Sequence, residues 1–273
     1  MGWYEIKNLF LNPVTMDFDK ASPINQVARG IPVLISNKPC NTCKKCSDIC
    51  PTGVIKIESD KMMSFDYGKC VQCGLCSSVC PEEKIEDSGL VYVFALNREE
   101  LKVTYKNGNF EPTEFPVSEN VKKFRELTGE RGFNYREVAA AGNNSVECEL
   151  NASFNNVFDS EGQQIRSVAS PKHADAIIYS GPISENMRTP LGIAWDCMPE
   201  PKALIAAGTE AVSGGLFPPG KQPKEPDLFI GGDPPRPDVM INGCRFLMGK
   251  LKYSFQNALK KRQSELLKKE DLK

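Results

Sequence analysis

Eight of the eleven cysteines in the chain fall into two copies of one spacing pattern, C-x2-C-x2-C-x3-C followed by proline. The first copy consists of Cys40, Cys43, Cys46 and Cys50, and the second of Cys70, Cys73, Cys76 and Cys80. A disulfide framework or a pair of zinc sites would also use eight cysteines. Zinc needs four thiolates per site, but it does not need an internal duplication in which both copies end in Cys-Pro.

The duplicated run resembles the ligand pattern of bacterial-type ferredoxins, which hold two [4Fe–4S] clusters. Three thiolates on one tight loop reach three irons of one cubane, while the fourth points the other way toward the partner cluster. The resemblance therefore implies two clusters per chain. Cluster 1 would be bound by Cys40, Cys43, Cys46 and Cys80, and cluster 2 by Cys70, Cys73, Cys76 and Cys50.

The composition limits the cellular compartment and the classes of partner that we expect for this protein. The net charge of −1 gives no general attraction to nucleic acid or anionic lipid. No stretch approaches the roughly 20 apolar residues of a membrane-spanning helix, and the first residues lack the features of a signal peptide. Because cluster thiolates must stay reduced, we expect a cytoplasmic protein, or one held peripherally on the cytoplasmic face of a membrane by partner subunits.

The pattern of turns and apolar runs divides the chain into five parts. They are an N-terminal arm (1–30), a two-cluster ferredoxin-like α+β unit (31–95), a connector (96–135), an α/β domain (136–250) and a charged helical tail (251–273). Strands are predicted in the ferredoxin-like unit at 54–57, 62–66 and 90–94. The connector should contain a strand over 101–105, a hairpin turn at Asn107-Gly108 and a short helix capped by Ser118.

The α/β domain should hold a short parallel, flavodoxin-like sheet. Apolar runs at 164–168, 175–181, 203–208 and 228–231 predict its strands, and helical patterns lie between them, one of them near 184–195. From Asp238 onward we expect a single long helix that runs into the charged tail. The simplest interpretation of that tail is a solvated, partly frayed helix, and the alternative is a lysine-rich edge that faces a membrane or a partner.

Four segments of this domain resemble the small-subunit family shared by complex I and the membrane-bound, energy-converting [NiFe]-hydrogenases. The segments are Ser170–Pro182 (SPKHADAIIYSGP), Asn186–Leu191 (NMRTPL), Met198–Gly208 (MPEPKALIAAG) and Gly231–Pro237 (GGDPPRP). The ferredoxin-like unit resembles the two-cluster subunit of the same complexes. The chain therefore resembles a fusion of two such subunits.

The family carries one further [4Fe–4S] cluster on four cysteines, and most of them are absent here. The second ligand position matches Cys148, while the first falls on Asn144 or Ser145, the third on Glu210 and the fourth on Asp233. Cubane irons prefer thiolates, so the resemblance implies a site that has lost its cluster. The alternative is that Cys148, Glu210 and Asp233 bind another metal. Cys197 and Cys244 should be small buried apolar residues, and His173, the only histidine, should be structural.

These observations favour an electron-transfer subunit of a complex I-like or membrane-bound hydrogenase-like oxidoreductase. Its partners would be a large-subunit homologue, an electron donor such as ferredoxin and, indirectly, membrane subunits. The α/β domain would act as a docking module. The alternatives are a structural or assembly adaptor of such a complex, and a soluble two-cluster ferredoxin with an appended α/β domain. No P-loop, nucleophile elbow or nucleic-acid motif is present.

Overall fold

The structure is a computed structural model that describes residues 3, 11, 14–35, 43–59 and 62–270. Several sequence predictions fall partly outside this range. Cys40 does, and so do most of the first ten residues of the arm and residues 271–273 of the tail. No helix in the described part of the chain is long and apolar enough to cross a bilayer.

The cysteine-rich part of the chain folds as two similar halves. Each half contains a strand, a ligand run, a very short helix and a second strand, and β1 pairs with β4 and β2 with β3, both antiparallel. The elements are β1 (Pro32–Leu34), α1 (Lys45–Ile49), β2 (Ile55–Ser59), β3 (Met62–Asp66), α2 (Leu75–Ser78) and β4 (Ile85–Asp87). The strand predicted over 62–66 is confirmed to the residue.

The strand predicted at 90–94 is wrong in position. The strand that follows the second ligand run is β4, and Leu90 only forms an isolated bridge with Ile24. The next strand, β5 (Phe94–Ala95), leaves this unit and pairs antiparallel with a strand of the C-terminal sheet. The residues just before the expected boundary at 95 therefore belong to the second sheet.

The segment expected to be a connector extends the cysteine-rich unit. Its strand β6 (Lys102–Lys106) pairs antiparallel with β3 and makes a three-stranded sheet. The predicted turn follows, with Asn107 and Gly108 both at positive φ (53° and 82°) as a tight hairpin turn requires. The predicted helix is α3 (Glu119–Thr128), and the Ser118 hydroxyl caps it by accepting the Val121 N–H.

The C-terminal part is built on a six-stranded, mostly parallel sheet in the order β5-β11-β10-β9-β7-β8, in which only β5 runs antiparallel. Its further strands are β7 (Phe133–Ala139), β8 (Ile165–Ser167), β9 (Ala176–Ser180), β10 (Ala203–Ala207) and β11 (Leu228–Ile230). The prediction of a parallel sheet is confirmed. Strand β7 was not predicted, although it lies between β8 and β9.

Helices cover this sheet and return to the cysteine-rich unit. They are α4 (Ser145–Ala152), α5 (Glu185–Asp196), α6 (Thr209–Ser213), α7 (Pro237–Leu247) and α8 (Phe255–Glu270). The single long helix expected from Asp238 is in fact two, because the chain turns at Gly249, whose φ is +80°. All of α7 is buried.

The charged tail is packed rather than solvated. One face of α8 is buried, and it consists of Phe255, Gln256, Leu259, Gln263 and Leu266. The Gln263 amide donates hydrogen bonds to the carbonyls of Leu34 (2.7 Å) and Gly108 (2.9 Å). The interpretation of a frayed, solvated helix is therefore wrong for the described part of α8, which clamps the cysteine-rich unit.

The described part of the N-terminal arm lies on its own chain. Phe18 is buried, Met16 N–H donates to the Val157 carbonyl at 2.7 Å, and Asp19 forms an ion pair with Arg245 of α7. Residues 16–19 of the arm therefore cover the C-terminal domain, whereas Ile24 bridges Leu90 and the Asn25 N–H donates to the Gly89 carbonyl.

Candidate functional site

Four cysteines from both ligand runs line one cavity, which we call the second cysteine cavity. They are Cys50 from the end of the first run and Cys70, Cys73 and Cys76 from the start of the second. The remaining walls are formed by apolar or small residues, including Pro32, Val54 and Leu75. This is the set that the ferredoxin pattern assigns to cluster 2.

A matching cavity lies at the other end of the repeat. This first cysteine cavity is lined by Cys43, Cys46 and Cys80, together with Lys45, Glu82 and Lys84. These are three of the four residues that the pattern assigns to cluster 1. The fourth, Cys40, lies outside the described residues.

Backbone N–H groups point at the cysteine sulfurs in the same way in both halves. Val54 N–H donates to Cys50 Sγ at 3.2 Å, and Lys84 N–H donates to Cys80 Sγ at 3.3 Å. In each case the donor lies four residues after the cysteine that ends its run. Such N–H···S contacts stabilise negative charge on sulfur, as a cluster-bound thiolate requires.

Burial makes some of these sulfurs poor anions by themselves. Desolvation is the main cause that raises the pKa of Cys76 to about 12, and the nearby Cys50 raises it further. Burial likewise raises the pKa of Cys70. A thiol in such surroundings becomes a stable thiolate when a metal centre replaces its proton.

The arrangement fits an iron–sulfur cubane better than zinc or disulfides. All the described cysteines are free, which is inconsistent with a disulfide framework among them. Thiolates that share one zinc ion lie about 3.8 Å apart, given a Zn–S bond of about 2.3 Å. No group of three or more potential ligands in the described part of the chain is placed to hold a single ion. In a cubane each thiolate binds a different iron, so the sulfurs stand farther apart.

The residues at the expected former cluster site meet at the loop end of the C-terminal sheet. Asn143 lies between the two carboxylates: its backbone N–H donates to Glu210 Oε2 and its side-chain amide to Asp233 Oδ1, both at 3.3 Å. The Ser145 hydroxyl also donates to Asp233 Oδ1 at 3.3 Å. We call Asn143, Ser145, Glu210 and Asp233 the C-terminal polar site.

Burial raises the pKa of Glu210, the Asn143 N–H opposes this shift, and the nearby Asp233 adds to it. Sequence reasoning missed Asn143, which joins the two carboxylates. Cys148, expected beside them, is exposed and contacts the Asn144 amide (3.6 Å) one helical turn back. Cys148, Glu210 and Asp233 do not form a metal-ligand group among the described residues.

The predictions for the cysteines outside the ligand runs are partly confirmed. Cys244 is buried in α7, as predicted. Cys197, at the end of α5, is exposed, so the prediction that it is buried is wrong. His173 ends a short 3-10 turn before β9, its side chain is exposed, and its carbonyl accepts a hydrogen bond from Asn134.

The C-terminal polar site and the second cysteine cavity share one buried contact. Thr209, the residue before Glu210, is fully buried at the start of α6. Its hydroxyl donates to the Cys70 carbonyl at 3.1 Å and accepts the Gly232 N–H at 3.2 Å. Helix α6 therefore lies directly against the second ligand run.

An exposed apolar loop follows α6. Leu216 and Phe217 are 69% and 56% exposed, and Pro218 and Pro219 come next. Gly215 precedes the loop and packs against Glu210, because a Cβ added at Gly215 would lie 3.1 Å from Glu210 Cγ. The apolar loop (216–219) thus projects beside the C-terminal polar site.

Two ligand runs line two cavities, next to a domain with a mostly parallel sheet. Residues 39–84 match the family described as the 4Fe-4S dicluster domain. Residues 143–247 match the family described as NADH ubiquinone oxidoreductase, 20 Kd subunit. The chain thus joins a region similar to the 4Fe-4S dicluster domain to a region similar to the 20 Kd subunit, as the fusion hypothesis predicted.

Curated relatives are similar to parts of the chain. Formate hydrogenlyase subunit 7 of Escherichia coli K12 is 35% identical over 121 residues, which cover 42% of this chain and 48% of that protein. The probable membrane-bound hydrogenase subunit mbhJ of Pyrococcus furiosus is 28% identical over 115 residues (40% and 69%). A subunit of the NADH-quinone oxidoreductase of Clostridium beijerinckii is 42% identical over 90 residues (30% and 53%). The chain therefore spans about half the length of the first and third of these relatives.

Proposed function

We propose that the chain is an iron–sulfur electron-transfer subunit of a multi-subunit oxidoreductase related to complex I and the membrane-bound hydrogenases. The observation that carries this proposal is the sorting of the cysteines into two cavities, each of which draws on both ligand runs. The paired strands β1·β4 and β2·β3 support a ferredoxin-like unit with two [4Fe–4S] clusters. When bound, such a cluster takes up and releases one electron at a time.

In this proposal Cys40, Cys43, Cys46 and Cys80 hold cluster 1, and Cys70, Cys73, Cys76 and Cys50 hold cluster 2. The protein also controls access to the cofactors. Cys46 and Cys70 are buried, whereas Cys73 is exposed, so a redox partner can approach the second cysteine cavity at that side. The short helices are anchored by side chains: Ser77 donates to Asp87 at 2.6 Å, and Ser47 donates to the Ile55 carbonyl at 2.8 Å.

The 20 Kd-type domain serves as a docking module that has lost its own cluster. At the C-terminal polar site, amide, hydroxyl and carboxylate groups bond to one another where the family resemblance places thiolates. The exposed apolar loop beside them suits a protein surface better than a small ligand. We infer a large-subunit homologue as the partner at this surface, a donor such as ferredoxin at the clusters, and peripheral attachment to the cytoplasmic face of a membrane through partner subunits.

Iron content tests the cofactor assignment. Two cubanes predict about eight irons and eight acid-labile sulfides per chain after anaerobic purification. Cys43→Ala should lower the iron content toward about four, because one ligand set is broken. Cys197→Ala removes an exposed cysteine outside both cavities and should leave the iron unchanged. Equal iron in the wild type and Cys43→Ala would contradict the assignment.

Co-purification with partner subunits tests the docking assignment. Phe217→Ser should weaken recovery of the complex while leaving the cluster spectrum unchanged. Val157→Ser is the matched control, since Val157 is also exposed (42%) but follows α4 at the opposite end of the sheet. Arg188→Glu is a second probe. Arg188 lies near the start of α5, and the segment just before this helix contacts the end of the apolar loop, because the Gly220 N–H donates to the Pro182 carbonyl at 2.6 Å. Arg188 is half-exposed and pairs only loosely with Glu185 (3.6 Å). Normal assembly with both Phe217→Ser and Arg188→Glu would refute the docking role of this surface.

A further inference from the structure

The two cysteine cavities share a backbone plan but differ in charge. Among the described residues that line the second cavity, none carries a charged side chain. Arg29 and Asp87 lie just outside that lining, beside Gly74, and carry opposite charges. The first cavity is lined by Lys45, Lys84 and Glu82 in addition to its cysteines. The difference arises at positions that correspond in the two halves of the repeat.

Lys84 corresponds to Val54. Each lies four residues after the last cysteine of its run, and each donates its backbone N–H to that cysteine's sulfur, at 3.3 Å and 3.2 Å. The backbone hydrogen bond is therefore the same in both halves. What differs is the side chain, an ammonium group in one half and a branched hydrocarbon in the other.

Lys45 corresponds in the same way to Leu75, because each precedes the third cysteine of its run. Leu75 is 43% exposed, and Lys45 is exposed as well. The repeat thus places a cation in the first half at two positions where the second half has an apolar residue.

Lys84 is the most buried of the three charged residues that line the first cavity. Lys84 is buried, with 8% of its surface exposed. It forms an ion pair with Glu82, whose side chain is 45% exposed and therefore better hydrated. Charge interactions are weaker in water than in the protein interior, so the buried ammonium acts on the cavity more strongly than its exposed partner does.

Reduction of a thiolate-bound cubane adds one negative charge to a centre that is already an anion. A buried cation stabilises this more negative form and raises the reduction potential, whereas an apolar, uncharged cavity disfavours it. We propose that the first cysteine cavity holds the higher-potential cluster and that Lys84 is the residue that sets the difference. This inference rests on the proposed function, because it requires a cluster in each cavity.

A redox titration of the anaerobically purified full chain, followed by electron paramagnetic resonance of the reduced clusters, tests the inference. The wild type should show two one-electron waves. Lys84→Met should lower the higher wave enough to change the electron distribution between the sites at least tenfold, which is about 59 mV for one electron. Lys84→Arg keeps the charge and should retain the wild-type gap.

A reciprocal variant in the other half identifies the waves. Leu75→Lys adds a cation at the second cavity and should raise the lower wave. Leu75 is partly exposed, so this variant also keeps the inference testable if Lys84→Met fails to bind its clusters. Movement of the lower wave by Lys84→Met, or of the higher wave by Leu75→Lys, would overturn the inference.

Iron analysis of each sample separates this inference from the proposed function. About eight irons with waves that do not respond to Lys84→Met or Leu75→Lys would overturn only the assignment of potentials. About four irons or fewer in the wild type would overturn the two-cluster function, and the inference with it.

Discussion

The Thr209 hydroxyl joins the C-terminal domain to the second ligand run, and its removal should loosen the cofactor site from a distance. Thr209 is fully buried, and its hydroxyl bonds both the Cys70 carbonyl and the Gly232 N–H. Thr209→Val preserves the shape of the side chain but leaves both backbone groups without this partner. An unsatisfied buried group costs about 1–3 kcal/mol, so we expect a loss of about 2–6 kcal/mol for the two groups together.

Thr209→Ser is the control, because it keeps the hydroxyl and removes one methyl group, at about 1 kcal/mol. The assay is the rate at which the visible absorbance of the clusters disappears in denaturant under anaerobic conditions. A rate suits an iron–sulfur protein, whose unfolding is irreversible once the cofactor is lost.

A loss of about 2 kcal/mol corresponds to about a 30-fold faster decay, if the contact is broken in the transition state for unfolding. Trp195, on α5 of the C-terminal domain, gives a second signal through its fluorescence. Equal decay rates for Thr209→Val and Thr209→Ser would refute the argument that the hydroxyl couples the domain to the ligand run. So would a change in fluorescence with no change in cluster lifetime.

Two further changes test the packing between the parts of the chain. Burial raises the pKa of the Glu100 carboxyl, which accepts the Phe255 N–H of α8, so folding favours its protonated form and its contribution to stability is lost as pH rises above 4.5. Glu100→Gln keeps the hydrogen-bond acceptor but removes the charge. Denaturation at about pH 4 and about pH 7 should show that stability falls less between these pH values in the variant than in the wild type. An equal fall in both proteins would contradict this. Gly68→Ala would place a Cβ 2.7 Å from Arg98 Cζ, and such overpacking should cost about 1–3 kcal/mol, measured as a lower melting temperature. Gly192→Ala, where nothing lies within 4 Å of the added Cβ, should be neutral or stabilising, and equal melting temperatures for the two alanine variants would contradict the steric account.

The predictable elements were those with strong local signals. Strand β3 (Met62–Asp66) alternates buried and half-buried residues, which is the period of a strand. Helix α3 begins with a serine that caps it. Strands β9 and β10 are continuous apolar runs, as expected where helices cover both faces of a parallel sheet. In each case the local sequence is enough to predict the strand or helix.

The elements that were missed depend on distant partners. Strand β7 contains Asn134, Arg136 and Glu137, and these polar residues interrupt its apolar pattern although the strand lies inside the sheet. The burial of the tail helix α8 could have been predicted from its amphipathic pattern. Phe255, Leu259 and Leu266 fall on one helical face, but the many lysines around them make the segment look solvated.

The candidate site, too, is predictable from the sequence only in part. The cysteine sets follow from a spacing that geometry enforces. The role of Asn143 does not, because its neighbours Glu210 and Asp233 are far away in sequence and only the fold brings them together. Sequence alone could place the loops at one end of the sheet, but not which amide would bridge the carboxylates.

The two halves of the chain exchange structural elements. Strand β5 leaves the cysteine-rich unit to complete an edge of the C-terminal sheet, and α8 returns from the C-terminal domain to pack on β1. Arg262 of α8 also donates to the Ser88 carbonyl at 2.6 Å, next to the strand that pairs with β1. Suppose the gene were divided into two open reading frames at a point between β5 and α8. The N-terminal product would then lack α8, and the C-terminal product would lack β5. The covalent link fixes a one-to-one ratio of the cysteine-rich unit to the C-terminal domain, and each of the two packs against an element that follows or precedes the other in the chain.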